Sequence, residues 1–282
     1  MWPFSSAPKI PVLRLSGPIG MAAPLRPSLS LATAAAAMER TFSYSKLPAV
    51  AIVINSPGGS PVQSNLIFNR IRQLSEEKKK KVYVFCEDVA ASGGYFLAVA
   101  GDEIYADPSS IVGSIGVIAA SFGFVEALNK LGIERRVYTA GDNKSILDPF
   151  KPAQEADIAR LKSIQLDIHE VFKDVVRSRR GAKLNGPESE LFSGAFWVAG
   201  KAQELGLIDG ITDVRTKMRE EFGDKVVLHN IKLQAGGLLA RLRRPSMNMA
   251  VDDTTMASLR LEFAEDLVST AEKRMLWQRY GL

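Results

Sequence analysis

The 282-residue sequence holds a single cysteine, Cys86, and two histidines, His169 and His229. One cysteine excludes an intramolecular disulfide and any cysteine-based metal cluster. The two histidines are isolated from each other, so no metal site is predicted. Cys86 falls in the run Val82-Tyr83-Val84-Phe85-Cys86 and reads as a small buried strand residue rather than a nucleophile. Long apolar runs are missing too. Crossing a bilayer takes roughly 20 consecutive apolar residues, and the longest candidate, Leu29 to Met38, is a short Ala-rich stretch. Pro3, Pro8, Pro11 and Arg14 interrupt any apolar core that a signal peptide would need near the start. These absences predict no transmembrane segment and a location in the cytoplasm or peripheral to the cytoplasmic membrane.

What is present is an ordinary globular composition, 46% hydrophobic and 24% charged, which argues against wholesale disorder. The net charge of +5 arises from scattered cations and two basic runs, Lys78 to Lys81 and Arg241 to Arg244. With no nucleic-acid module beside them, these read as a solvated helix end and a linker; no nucleic-acid partner is predicted.

The hydrophobic pattern alternates strands and helices with glycine at the joints. Ile10 to Leu15 is a strand, Ser28 to Ala37 a small helix, and Pro48 to Asn55 a strand whose unbroken apolar run suits burial on both faces. Ser56-Pro57-Gly58-Gly59 ends it. Ile67, Ile71 and Leu74 mark a helix, and Val82 to Cys86 the next strand, giving the βαβ succession of a parallel sheet. Further strands are predicted at Glu103 to Ala106, Ile111 to Val117, Arg135 to Thr139, Gly206 to Asp209 and Val226 to Ile231. Val125, Leu128 and Leu131 mark a helix. Ile158, Leu161, Ile164, Ile168, Phe172 and Val175 form the stripe of a long packing helix with no chemistry assigned. The domain organisation is a main domain over 1–232, a basic linker over 233–256 and an amphipathic helix over 257–282.

Three segments could carry chemistry. Ser92 stands in Ala91-Ser92-Gly93-Gly94, where small neighbours permit close approach and a following helix favours developing negative charge. Read alone, these residues suit a helix N-cap equally well. The Gly58-Gly59 loop can present free N–H groups to an oxyanion, with Gly59 the first donor and Gly93 the second; by itself it is also an ordinary tight turn. No histidine precedes His169, which lies inside the long helix, so a Ser-His-Asp triad is not expected. Lys144, in Gly141-Asp142-Asn143-Lys144-Ser145, is the alternative base. Free lysine titrates near 10.4, leaving about one in a thousand neutral at pH 7.5, so the role requires desolvation.

Ser56-Pro57-Gly58-Gly59, Ala91-Ser92-Gly93-Gly94-Tyr95, Gly113-Ser114-Ile115-Gly116-Val117, and Tyr138 followed by Gly141 and Lys144 together resemble the motif series of signal peptide peptidase A and its relatives. The ordered match runs from Pro11 to Val227. The resemblance implies an α/β fold of the Clp protease/crotonase type, a superhelix of ββα units. It places the nucleophile at Ser92, the general base at Lys144, the oxyanion donor at Gly59, and a lysine-orienting serine at Ser114. It also implies peptide substrates with small or apolar side chains beside the cut, rings of four or eight copies, and no cofactor. Peripheral membrane contact is compatible with it. Two other functions fit parts of the pattern: an acyl-CoA hydratase or isomerase of the same fold, and a non-enzymatic ring scaffold.

Overall fold

A computed structural model describes residues 7–20, 28–141, 143–233 and 274–282. Strand β1 (Lys9–Ser16) leads to helix α1 (Leu31–Ser43), β2 (Ala49–Ser56), α2 (Pro61–Lys78), β3 (Lys81–Ala91) and the short α3 (Gly93–Ala98). Then come β4 (Glu103–Ala106), β5 (Ile111–Gly113), α4 (Val125–Leu131), α5 (Glu155–Arg180) and α6 (Glu188–Leu191). The described main body ends with β6 (Phe196–Val198), α7 (Ala199–Glu204), β7 (Gly210–Ile211), α8 (Val214–Phe222) and β8 (Val227–Ile231).

The strands form one sheet in the order β6-β5-β3-β2-β1-β8, with β4 also on β3 and β7 on β4. Every pairing is parallel except β5 with β6. The long β3 is the axis: its first half pairs with β4 and its last three residues with β5. One face, through Leu13, Ile52 and Val84, packs under α1, α2, α3 and part of α5. The other, through Ala51, Val53 and Phe85, meets Val214, Met218 and Phe222 of α8. Burial on both sides explains the continuous apolar runs of β2 and β3.

Several expectations need correction. Arg135 to Thr139 forms no strand; the segment is exposed and has no neighbouring strand to complete a ladder. Ile111 to Val117 is a strand only to Gly113, and the strand expected at Gly206 to Asp209 lies instead at β7. The α5 stripe is only partly covered: Phe172 and Val176 are buried, whereas Ile158 and Ile164 are exposed. The predicted linker beyond residue 233, and the predicted final helix up to residue 273, lie outside the described residues; 274–278 are helical.

Candidate active site

The loops that follow β2 and β3 fit into one another. A Cβ on Gly94 would stand 2.3 Å from the Ser56 carbonyl oxygen, and one on Gly58 would stand 2.8 Å from the Gly93 nitrogen. Ser-Pro-Gly-Gly and Ala-Ser-Gly-Gly therefore meet backbone to backbone, at a distance no side chain would permit. β3 reaches this junction through a bulge. Ile54 pairs with Cys86 but Ser56 with Ala90, so Asn55 alone spans Glu87, Asp88 and Val89. Its side chain fills the gap, donating to Asp88 Oδ2 (2.6 Å) and accepting from the Val89 N–H (3.3 Å).

Ser92 has φ 52° and ψ −123°; it occupies the N-cap position of α3, yet its hydroxyl makes no capping bond. Its N–H donates to the Gly113 carbonyl (2.9 Å). Since Ala91 pairs with Gly113, the next residues, Ser92 and Ser114, stand side by side at the ends of neighbouring parallel strands. Ser114 is buried and also has positive φ, 54°. Gly59 is bridged to Ile19: the Ile19 N–H donates to the Gly58 carbonyl and the Ser60 N–H to the Ile19 carbonyl, both at 2.8 Å. Such a parallel bridge leaves the N–H of Gly59 itself turned away from Ile19. The Gly93 N–H, in the first turn of α3, is among the donors a helix cannot satisfy internally.

Ser92, Gly59 and Gly93 line one cavity of about 50 Å³, walled by Phe96, Val117, Ile168, Val171 and Phe172. Three of these wall residues belong to α5, so a helix expected only to pack also shapes the cavity; its apolar periodicity carried no sign of this. A larger cleft, about 610 Å³, lies over the face that carries Val53 and Phe85 and contains none of the candidate residues.

Lys144 is exposed, in a turn within the arm that joins β5 to α5, and is not among the residues lining the Ser92 cavity. His169 bonds through Nε2 to the Ile115 carbonyl (3.0 Å), which places a proton on that nitrogen. Cys86 is fully buried and burial pushes its thiol up to about 12, so it is protonated at neutral pH and inert. Among the described residues no cluster of three or more His, Cys, Asp or Glu could hold a metal ion.

The model of peptidase family S49 matches residues 75–224, more than half of the chain, including Ser92, Ser114 and Lys144. The chain belongs to peptidase family S49. The chloroplastic serine protease SPPA of Arabidopsis thaliana is 32% identical over 208 residues, 72% of this chain and 29% of that protein. Two proteins named Na(+)/H(+) antiporter NhaA, from Brucella abortus and Brucella melitensis, are each 54% identical over 275 residues, 97% of this chain. The chain spans 37% of the length of each. Among the described residues no helix is long and apolar enough to cross a membrane.

Proposed function

We propose that the chain is a serine endopeptidase in which Ser92 is the nucleophile and Lys144 the general base. The observation that carries the reading is Ser92 itself: a serine held at positive φ, its hydroxyl uncommitted to a cap, in a cavity shared with Gly59 and Gly93 inside an S49 match. Neutral Lys144 takes the Ser92 Oγ proton as oxygen attacks a peptide carbonyl. The N–H groups of Gly59 and Gly93 bond to the oxyanion, a contribution of about 3 kcal/mol per donor. Lys144 then protonates the leaving amine, and water resolves the acyl-enzyme with Lys144 again as base. Ser114 orients the lysine. No cofactor enters any step. The cavity's apolar wall and small volume suit signal peptides or other unstructured chains with small side chains beside the cut. The repeated strand and helix units up to β5 support the Clp protease/crotonase type of superhelix.

The reading requires Lys144 to be delivered to Ser92, and the arm that bears it supplies the means. Ile118, Phe122, Leu131, Ile133 and Tyr138 are exposed there, an apolar surface of the kind that marks an interface. The chain acts as a homo-oligomer in which the arm of one copy docks beside the site of another. The acyl-CoA and scaffold alternatives have no comparable support, because the matching family is one of peptidases.

Hydrolysis of an unstructured peptide by wild type, Ser92→Ala and Lys144→Ala tests the reading. Both variants are expected to lose at least about a thousandfold in kcat, and a fluorophosphonate probe to label wild type at Ser92. Activity surviving in either variant removes the dyad.

A further inference from the structure

Two walls of the Ser92 cavity come from different parts of the chain. Gly116 and Val117 form one, and Ile168, Val171 and Phe172 of α5 form the other. The second wall is set by a continuous helix of 26 residues, whereas the first belongs to no regular element. β5 ends at Gly113, and one residue later the Ser114 N–H still donates to the Ala195 carbonyl. Beyond it, among the described residues, a single hydrogen bond holds the backbone of 115–123, from His169 Nε2 to the Ile115 carbonyl at 3.0 Å. A carbonyl oxygen only accepts, so the imidazole is the donor. Val117 also borders a second hollow of about 250 Å³, together with His169, Lys162, Gln165 and Leu166. It therefore stands between two spaces, with room to retreat into the second.

We propose that His169 is a positioning residue that sets the width of the substrate cavity and with it the choice of side chain beside the cut. The inference rests on the reading of Ser92 as nucleophile, with that side chain lodged in the cavity Ser92 lines. His169 follows Ile168 on the helix wall, and its bond reaches the residue before Gly116 on the other wall, so one contact ties the two together. The resulting space, about 50 Å³, admits a small side chain. Without the donor the Ile115 carbonyl must turn to water for a partner, and Val117 moves with it into the second hollow. A wider cavity holds a small side chain less well and admits a larger one. Each methylene that an apolar pocket accepts or rejects changes kcat/KM by about tenfold or more, so a small shift of the wall is readable as selectivity.

His169→Phe keeps an aromatic ring and deletes the donor; His169→Gln deletes the ring and keeps an N–H donor. Both are compared with wild type in the hydrolysis of two unstructured peptides that differ only in alanine or leucine beside the cut. For His169→Phe the expected result is a KM for the alanine peptide raised about three- to tenfold with kcat within about twofold. Its preference for alanine over leucine falls by at least about threefold. His169→Gln brings both values back towards wild type, and thermal unfolding of both variants stays within about 3 °C of wild type. Unchanged KM and selectivity in His169→Phe, or a His169→Gln protein as impaired as His169→Phe, overturn the proposal. So does a loss of thermal stability large enough to account for the lost activity. Ser92→Ala is measured alongside. If it stays active, the nucleophile reading fails and this proposal falls with it; if it is dead and His169→Phe is normal, only the role of His169 is lost.

Discussion

Four non-glycine residues among those described have positive φ: Lys79, Ser92, Ser114 and Leu147. A serine held there costs about 1–3 kcal/mol and persists only where its surroundings over-determine it. For Ser92 those surroundings are the Gly113 carbonyl, the interlocked glycine loops and the bulge that Asn55 spans. Asn55→Ala strands the Val89 N–H inside the ladder, and Val89 is fully buried. An unsatisfied buried donor costs about 1–3 kcal/mol, so the urea midpoint should fall by a corresponding amount. Because the bulge also aims the end of β3, peptide hydrolysis should fall more than the loss of folded protein accounts for; an unchanged rate per folded molecule would show that the bulge does not aim Ser92. Ser92, Gly59 and Gly93 were legible in the sequence because small residues and glycine leave a local mark. Asn55 was not, since a bulge is a property of two strands in register.

At the scale of elements, α5 shows what periodicity does and does not reveal. Its stripe marks the helix face, but the depth of burial depends on what lies opposite: Phe172 and Val176 meet the core, whereas Ile164 does not. The same gap between pattern and partner explains Arg135 to Thr139, a strand-like pattern with no strand beside it. α8 is the converse, an element not anticipated although Val214, Met218 and Phe222 recur every fourth residue after the capping Asp213. The end of α5 is pinned by Arg180, which is 3% exposed, bonds to the Gly206 carbonyl and pairs with Asp209 at 2.8 Å. Burial alone would raise the Asp209 carboxyl, but hydrogen bonds from Arg180 and Lys183 outweigh it and hold the carboxyl below its ordinary value. The folded pKa is therefore below the unfolded one, about 3.9. The stabilisation is present above that pH and is lost as pH falls through the folded value. Asp209→Asn should leave Arg180 buried without its counter-charge, cost about 3 kcal/mol, and weaken the acid dependence of the urea midpoint. A midpoint within experimental scatter of wild type would mean that the Gly206 carbonyl suffices to hold Arg180.

At the scale of the whole molecule, the candidate site is divided. The proposed nucleophile Ser92 and the proposed N–H donors Gly59 and Gly93 share one cavity, and Lys144 stands on an exposed arm outside it. Tyr138, in the same motif as Lys144, is 90% exposed, and Phe122 is 72% exposed. Covering such side chains recovers about 25 cal/mol for each Å² of apolar area, so under the proposed function one surface drives both association and delivery of the base. Two measurements follow from that coupling. Phe122→Asp combined with Tyr138→Asp should shift sedimentation towards the monomer and lower peptidase activity in parallel, while leaving urea unfolding of the body nearly unchanged. Mixing the inactive Ser92→Ala and Lys144→Ala variants should restore a fraction of wild-type activity, since a mixed assembly contains interfaces that join an intact Ser92 to an intact Lys144 from the neighbouring copy. No recovery on mixing, with subunit exchange demonstrated, would mean that each copy's arm folds onto its own site.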